Sequence, residues 1–289
     1  MSKVTLQNFI EGLELGSYLI AWHGFPLGIE KHPWGELAYS LHGGQVVFFR
    51  PQGQKPILWL SEQLKSHPAA IRGGVPICWP WFAENPDDSS QPFHGVARTS
   101  EWIVTSQEFT PTEGHLTLKP AHDIYPGLSI QEDIIVDSQS ISIRITTHNC
   151  SEEQKTITQA LHTYLAVSGL ENMEIRGLSG CRYVDKNLSG QTSTQEGELT
   201  ISEATDRIYL NGSDTEIVDN AWGRSMIVQH TNSASTVVWN PGASAESMVD
   251  VGESQGNSFV CVETANTEAF DAVRLAPAAS CFIETKISL

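Results

Sequence analysis

The amino-acid sequence predicts an all-β protein, a large sandwich built of mostly antiparallel strands. Strand-type alternation of apolar and polar residues recurs from one end of the chain to the other, whereas helical periodicity is nearly absent. Turn signals separate the apolar runs, as at Pro126-Gly127, Asn211-Gly212 and Pro241-Gly242. About fifteen or more strands are expected, and that number is typical of packed sheets around one core.

The clearest single strand contains Ile141, Ile143 and Ile145, which alternate with polar residues. This period of two predicts a strand with one buried face. A hairpin is expected where residues 37–41 and 45–50 flank a glycine pair. Further strands are predicted at 101–106, 128–136, 156–167, 207–210, 225–230, 236–239, 258–263 and 280–287, with short helical turns at 61–67 and 243–249.

The length and composition favour one domain, residues 1–289. The chain has 40% hydrophobic and 18% charged residues, as globular proteins do, and no linker or internal repeat divides it. No apolar stretch of about 18 residues is present, so no membrane span is expected. The N-terminus lacks a basic segment followed by an apolar core, so we expect no secretory signal.

The charge balance is strongly acidic, with 34 acidic against 17 basic residues and a net charge of −17. Such a chain repels nucleic acids and anionic membranes, which we therefore exclude as partners. An anionic small substrate would also be repelled at long range. Clustered arginines would have to overcome that field locally through charge-assisted hydrogen bonds.

The five cysteines form no CxxC pair. Cys78, Cys261 and Cys281 lie in apolar runs and are interpreted as buried thiols, which favours a reducing, cytoplasmic location. The sequence has no HExxH or HxH metal pattern, no nucleotide-binding glycine loop and no GxSxG nucleophile elbow. We therefore expect acid–base chemistry without a metal or cofactor.

Two loops could carry ligand-binding residues. Arg72 precedes Gly73-Gly74, which would let the backbone approach a ligand, although a structural turn with an exposed arginine explains the pattern equally well. His94 and Arg98 lie four residues apart around a glycine and could point into one cleft. Either could instead face solvent.

Two strands could carry catalytic residues. Alternation places His162 and Tyr164 on a small, polar face, as expected of a ligand-lined strand, although a hydrogen-bonded core histidine would give the same pattern. Glu263 closes an otherwise apolar strand. A buried carboxylate costs several kcal/mol unless it is paired, so Glu263 is a candidate for a raised pKa and proton transfer. The alternative is a strand-end glutamate already in water.

Together and in order, these segments resemble the hexose-6-phosphate mutarotase (glucose-6-phosphate 1-epimerase) branch of the aldose 1-epimerase family. The similarity runs from about residue 56 to the C-terminus. The matching segments are Arg72-Gly73-Gly74-Val75-Pro76, Trp79-Pro80-Trp81-Phe82, His94-Gly95-Val96-Ala97-Arg98 with Trp102, Leu161-His162-Thr163-Tyr164, Thr205-Asp206-Arg207-Ile208-Tyr209, Val238-Trp239-Asn240-Pro241 and Cys261-Val262-Glu263.

The resemblance implies a galactose-mutarotase-like β-supersandwich that interconverts the anomers of a hexose 6-phosphate, with glucose 6-phosphate as the expected substrate. By the matching motifs, His162 would be the general acid and Glu263 the general base, on opposite sides of C1 and O5. Substrate contacts would come from Arg72, His94, Arg98 and Asp206, with Arg98 facing the phosphate. A monomer without metal or cofactor is expected.

Three other functions remain open at the level of sequence. A mutarotase for free hexoses would need no phosphate site, and Arg98 in so acidic a chain favours the phosphorylated sugar. A non-catalytic carbohydrate-binding protein would keep the tryptophans without needing both His162 and Glu263. A glycoside hydrolase or lyase is disfavoured because hydrolases usually use two carboxylates.

Overall fold

The computed structural model describes residues 4–252 and 254–289. In those ranges it has one α-helix, four short 3₁₀ turns and 22 strands. The elements are α1 (Leu6–Glu11), β1 (Gly16–Trp22), β2 (Phe25–His32), β3 (Gly35–Ser40), β4 (Val46–Pro51), β5 (Ile77–Cys78), β6 (Trp102–Phe109), β7 (Glu113–Pro120), β8 (Leu128–Asp137), β9 (Ser140–Asn149), β10 (Lys155–Ile157), β11 (Gln159–Leu161), β12 (Tyr164–Ala166), β13 (Met173–Arg176), β14 (Arg182–Asp185), β15 (Gln191–Thr194), β16 (Thr205–Leu210), β17 (Thr215–Asp219), β18 (Arg224–Thr231), β19 (Ser235–Asn240), β20 (Phe259–Asn266), β21 (Val273–Leu275) and β22 (Ser280–Ser288), with 3₁₀ turns at Ala97–Thr99, Leu170–Asn172, Lys186–Leu188 and Gly242–Ser247.

The strands form two large sheets and two small ones. The site sheet has the order β15-β14-β16-β19-β20-β11-β5, with β12 also paired to β20. The back sheet has the order β13-β17-β18-β22-β9-β8-β7-β6, while β1–β4 form a four-stranded sheet and β10 pairs with β21. The pairing of β20 with β19 and that of β22 with β9 are both antiparallel. The expected all-β, mostly antiparallel fold class is confirmed.

The main core lies between the two large sheets. Ile143 and Ile283 of the back sheet belong to the same buried cluster as Leu161, Val238 and Val262 of the site sheet. Each such aliphatic side chain contributes roughly 1.5–3 kcal/mol by leaving water. Because strand residues alternate between faces, the neighbours of these core residues point to the outer face of the site sheet. That face carries the functional groups described below.

Most predicted strands are confirmed. The hairpin around the glycine pair is formed by β3 and β4, and Ile141, Ile143 and Ile145 of β9 are fully buried. The prediction of one strand over residues 156–167 was wrong, because the chain is divided there into β10, β11 and β12. The helical turn predicted at 61–67 is replaced by bends and a turn, whereas the one near 243–249 is present as the 3₁₀ turn Gly242–Ser247.

The N-terminal elements were not predicted. Helix α1 is short, and the Asn8 amide donates to the side chain of Thr5 at its N-cap while Leu6 and Ile10 are buried. Two thiols behave as expected, since Cys78 and Cys261 are fully buried, but Cys281 is only half-buried. In the described part of the chain, no helix is long and apolar enough to cross a membrane.

Candidate active site

A cleft of about 190 Å³ opens on the outer face of the site sheet. All six residues that the sequence marked as catalytic or substrate-binding line it. The structure therefore brings together segments that lie almost 200 residues apart. The lining consists of Arg72, Phe82, Phe93, His94, Arg98, His162, Lys186, Asp206, Val237, Trp239 and Glu263.

Glu263 lies in the middle of β20, opposite Val237 of β19. The expectation that it closes its strand was wrong, because β20 continues to Asn266. Its side chain is 1% exposed, and its Oε2 has no hydrogen-bond partner among the described residues. Burial raises the pKa of this carboxyl well above its usual value; Asp206 adds to the rise and Lys186 opposes it.

His162 lies in the break between β11 and β12, both of which pair with β20. Leu161 faces Thr264 and Tyr164 faces Cys261, so the same antiparallel register puts His162 opposite Glu263. The strand breaks here because the Thr163 amide donates to the carbonyl of Leu161 instead of to β20, while the His162 amide points to the other side and donates to the carbonyl of Pro76. The sequence expectation that His162 and Tyr164 share one face is confirmed by their rings, which stack at 4.8 Å.

The two side chains are in direct contact. His162 Nδ1 lies 3.3 Å from Glu263 Oε1, although the two groups are not aligned for a hydrogen bond. Burial lowers the pKa of His162 well below its usual value, and the charges of Arg72 and Arg98 lower it further. The geometry thus differs from the arrangement expected from the sequence: the two groups are neighbours on one wall of the cleft, with no space for a sugar ring between them.

Arg72 is fixed at one end of the cleft. Its Nη1 donates to the Tyr164 hydroxyl at 3.0 Å, and its Nη2 contacts Asp250 Oδ2 at 3.1 Å. Gly74 has a φ of +63°, and a Cβ there would lie 2.1 Å from the carbonyl oxygen of Val46. The glycine is therefore required for close packing against β4, which supports the structural interpretation of this turn.

His94 is held in a strained loop at the other end. Its φ is +68° and that of Ala83 is +67°, a region that costs non-glycine residues about 1–3 kcal/mol. The Ala83 amide donates to His94 Nδ1 at 3.0 Å, so this nitrogen carries no proton. Burial lowers the pKa of His94 well below its usual value, with His162 contributing. The neutral ring can therefore offer its Nε2–H to a ligand.

Arg98 and Asp206 complete the predicted set. Arg98 lies in the 3₁₀ turn Ala97–Thr99 and donates from Nη2 to the carbonyl of Phe93 at 2.7 Å. Asp206 lies in β16 opposite Trp239, and its Oδ2 is 3.9 Å from Lys186 Nζ. Burial raises the pKa of Asp206, and Lys186 opposes that rise.

Known proteins share both the sequence pattern and the fold of this chain. The family model for aldose 1-epimerase matches residues 31–288. The chain belongs to the aldose 1-epimerase family. A protein of Escherichia coli K12, provisionally named glucose-6-phosphate 1-epimerase, is 32% identical over 246 residues, which are 82% of each chain. A Salmonella typhimurium LT2 protein with the same provisional name is 30% identical over 245 residues, 82% of this chain and 81% of its own.

Solved structures agree with this family assignment. The crystal structure of YeaD from Salmonella typhimurium, provisionally named a mutarotase, superposes with a TM-score of 0.89 at 26% identity over 98% of this chain and 99% of that one. A galactose mutarotase-like protein from Clostridium acetobutylicum has the same fold, with a TM-score of 0.73 at 13% identity over 95% of this chain and 98% of that one. The expected galactose-mutarotase-like fold and the expected epimerase family are thereby confirmed.

Sequence reasoning missed one charged residue that lines the cleft of this aldose 1-epimerase family member. Lys186 begins the short 3₁₀ turn after β14, and no repeat or motif in the sequence marks it. Its partner Asp206 was predicted, but a loop lysine more than a dozen residues earlier carries no pattern that would connect the two. Asp250, whose Oδ2 pairs with both Arg72 and Lys65, was missed for the same reason.

A group of metal-type donors lies at the wall of the cleft, where His162 and Glu263 line the cleft and Cys261 is fully buried. His162, Cys261 and Glu263 place one donor atom each within 4.8 Å of one another. Burial raises the pKa of the Cys261 thiol well above its usual value, which disfavours the thiolate that a metal would need. Catalysis without a metal therefore stays a prediction.

Proposed function

We propose that this member of the aldose 1-epimerase family interconverts the α and β anomers of a hexose 6-phosphate, with glucose 6-phosphate as substrate. The observation that carries the proposal is the 3.3 Å contact between the ring of His162 and the carboxyl of Glu263 in a cleft that cations also line. Relatives provisionally named glucose-6-phosphate 1-epimerase support the choice of substrate.

Two proton transfers are needed, and the pair supplies both. Glu263 takes the proton of the C1 hydroxyl while His162 gives a proton to the ring oxygen O5. The C1–O5 bond breaks, an aldehyde forms, and rotation about C1–C2 exposes its other face. Reclosure returns both protons with the roles reversed, so the enzyme ends unchanged. Each transfer is typically worth about 10²–10⁴-fold in rate.

Adjacency on one wall suits this chemistry, because O1 and O5 are bonded to the same carbon. The active state of the pair carries one proton, with Glu263 ionised and His162 protonated. Burial penalises each charge separately, but the two opposite charges stabilise each other at 3.3 Å. Moving the proton from the carboxyl to the imidazole therefore prepares the pair without any change in its net charge.

The remaining predicted residues position the sugar. Arg72 and the Nε2–H of His94 can donate to hydroxyls, while Asp206 can accept from them. Trp239 supplies a flat apolar surface beside His162, with the two ring centroids 6.0 Å apart. These assignments follow the matching motifs of the sequence and the lining of the cleft.

The net charge and the free cysteines are the basis for the proposed partners and cellular location. We propose that residues 1–289 act as one monomeric domain in the cytoplasm, with no nucleic acid or membrane partner. The net charge of −17 supports the exclusion of polyanions. The five cysteines, which are all free thiols in the described structure, support a reducing compartment.

Exchange NMR tests the proposal. The transfer of magnetisation between the α and β H1 signals of glucose 6-phosphate should accelerate in proportion to enzyme concentration, and kcat/KM should be higher than for glucose. Equal values for both sugars would favour a free-hexose mutarotase. Binding of either sugar without any accelerated exchange would favour a non-catalytic carbohydrate-binding protein.

A further inference from the structure

The imidazole of His162 is oriented by neighbouring rings more than by hydrogen bonds. Its Nδ1 lies 3.3 Å from Glu263 Oε1, but no residue in the ranges 4–252 and 254–289 forms a hydrogen bond with that nitrogen. In most catalytic sites, a hydrogen bond to one ring nitrogen orients the histidine. The plane of this imidazole is therefore set by packing.

Tyr164 provides a surface parallel to that plane. The centroids of the two rings are 4.8 Å apart, and the angle between the rings is 8°. This geometry is that of an offset stack, a favourable arrangement for aromatic rings. Trp239 approaches the imidazole at 81° and 6.0 Å, and His94 approaches it at 84° and 5.6 Å. The imidazole can therefore turn little without losing its contact with Tyr164.

Tyr164 is itself anchored from its backbone to its hydroxyl. Its amide donates to the carbonyl of Gly74, and its carbonyl accepts from the amide of Trp59, both at 2.9 Å. The ring of Trp59 also stacks against it, at 5.7 Å and 23°. The hydroxyl accepts from Arg72 Nη1 at 3.0 Å. The surface that contacts His162 is therefore fixed in place.

Tyr164 does not act on the sugar directly. It is 2% exposed and is not among the residues that line the cleft. Burial raises the pKa of its hydroxyl above the usual value, although Arg72 opposes that rise. A hydroxyl with a raised pKa is a poor proton donor, and this one is engaged with Arg72. Any contribution of Tyr164 to catalysis therefore passes through its neighbours.

We propose that Tyr164 is a positioning residue that holds the imidazole of His162 in its working plane and favours its protonated form, a role that rests on the proposed function. A cation on the face of an aromatic ring is attracted by the negative charge of that face. A neutral imidazole gains only the stacking contact. Within the one-proton pair, Tyr164 therefore favours the state with His162 protonated and Glu263 ionised over the state with both groups neutral.

This contribution opposes other influences on His162. Burial lowers the pKa of His162, as do the charges of three nearby cations, Arg72, Arg98 and Lys186. The carboxylate of Glu263 favours the imidazolium from 3.3 Å. The ring of Tyr164 adds a second attraction without introducing another charge into the cleft. Loss of this ring should therefore lower the fraction of the pair in its active state, and with it kcat.

Two variants separate the ring of Tyr164 from its hydroxyl. Tyr164→Leu should lower kcat for glucose 6-phosphate roughly 5–30-fold, the factor expected of a buried contact between a cation and an aromatic face. Tyr164→Phe keeps the ring and removes only the acceptor of Arg72, so kcat should stay within about threefold of the wild type while KM rises. A fall in kcat as large with phenylalanine as with leucine would overturn the role of the ring.

The matched control is Tyr209→Leu, which removes a tyrosine ring from the same sheet. Tyr209 of β16 is also fully buried, packs against the ring of Tyr183 at 5.1 Å and donates its hydroxyl to Gln195 outside the cleft. The control should change kcat less than about twofold, even where it lowers the thermal unfolding midpoint. Equal falls in kcat for Tyr164→Leu and Tyr209→Leu would show a general loss of packing and overturn the proposal.

NMR of the His162 ring protons tests the contact without any catalysis. Protons that lie over the face of an aromatic ring are shielded by its ring current. The signals, assigned by their loss in His162→Asn, should therefore move downfield in Tyr164→Leu and stay nearly in place in Tyr164→Phe and Tyr209→Leu. Signals that do not move in Tyr164→Leu would overturn the stack. If the wild type exchanges neither sugar, the proposed function fails, while these signals still decide whether Tyr164 positions His162.

Discussion

His162 Nδ1 lies 3.3 Å from Glu263 Oε1 because the pairing of β11 and β12 with β20 sets the two residues opposite each other. Both groups are buried, and the pKa of each is shifted toward the neutral form, upward for Glu263 and downward for His162. A pair of this kind titrates as a unit whose apparent pKa values belong to both groups. In the proposed reaction, the pair holds one proton, which His162 gives to the sugar while Glu263 takes another from it.

The pH dependence of kcat/KM should report this pair. The one-proton state is lost at low pH when the imidazole and the carboxyl are both protonated, and at high pH when both are deprotonated. Since burial lowers the pKa of His162, the acidic midpoint should lie below about 6.5. Glucose is the better substrate for this measurement, because a phosphate ester itself titrates near pH 6.

Asp206→Asn should move the alkaline limb of that profile to lower pH. Asp206 raises the pKa of Glu263, so its neutral replacement should let the carboxyl lose its proton more easily. The change is measured as the alkaline midpoint of kcat/KM for glucose in wild type and variant. A midpoint that stays in place, or that rises, would contradict the assignment of the shared proton to the His162–Glu263 pair.

Arg98→Ala should weaken selection for the phosphorylated sugar. Its guanidinium forms no ion pair in the described protein, so its charge is available to a dianion. We expect kcat/KM for glucose 6-phosphate to fall roughly 10–100-fold, with a much smaller fall for glucose. Arg98→Lys should recover only part of the loss, because it keeps the charge but not the planar fork. A common factor for both sugars would place phosphate selection elsewhere.

Glu132 provides a stability test far from the cleft. It is fully buried between the sheets, neither carboxyl oxygen has a described hydrogen-bond partner, and burial raises its pKa well above the usual value. When folding raises the pKa of a carboxyl, the free energy of unfolding of the protein falls as pH rises above the pKa of that carboxyl in the unfolded chain, which is about 4.3 for glutamate. Glu132→Met should therefore raise the free energy of unfolding at pH 8 by roughly 1–3 kcal/mol, which is seen as a higher midpoint denaturant concentration.

The gain from Glu132→Met should shrink toward pH 4, where the wild-type carboxyl is protonated in both states. The exposed Glu246 provides a control, since Glu246→Gln should change the free energy of unfolding by less than about 0.5 kcal/mol. Urea unfolding at several pH values measures both. A gain that is independent of pH would show that the ionisation of Glu132 does not destabilise the fold.

The strands with regular alternation and the motif-bearing residues could be predicted from sequence, whereas several boundaries could not. Glu263 looked like the end of its strand because Thr264 and Asn266 are polar. In the structure these two are buried and bonded to neighbouring side chains, Thr264 to His230 at 2.7 Å and Asn266 to Gln159 at 2.9 Å. A polar residue satisfied inside a sheet has the same sequence pattern as one in a loop.

Other features depend on contacts that a linear pattern does not contain. Residues 156–167 are divided into three strands because β10 pairs with β21, whereas β11 and β12 pair with β20 on either side of a turn in which the Thr163 amide donates to the Leu161 carbonyl. Similarly, Lys186 enters the cleft only because its 3₁₀ turn packs beside β16. Six residues that line the cleft could therefore be predicted from the sequence, but the shape of the cleft could not.

The central claim, that the His162–Glu263 pair performs the proton transfers, is tested most directly by the rate of anomer exchange with Glu263→Gln. The amide keeps the shape of the side chain and, being neutral, suits its burial, but it cannot take the C1 hydroxyl proton. Exchange NMR on glucose 6-phosphate should show a rate at least about 10²-fold below that of the wild type, with an unchanged thermal unfolding midpoint. Exchange retained above roughly a tenth of the wild-type rate would contradict that claim.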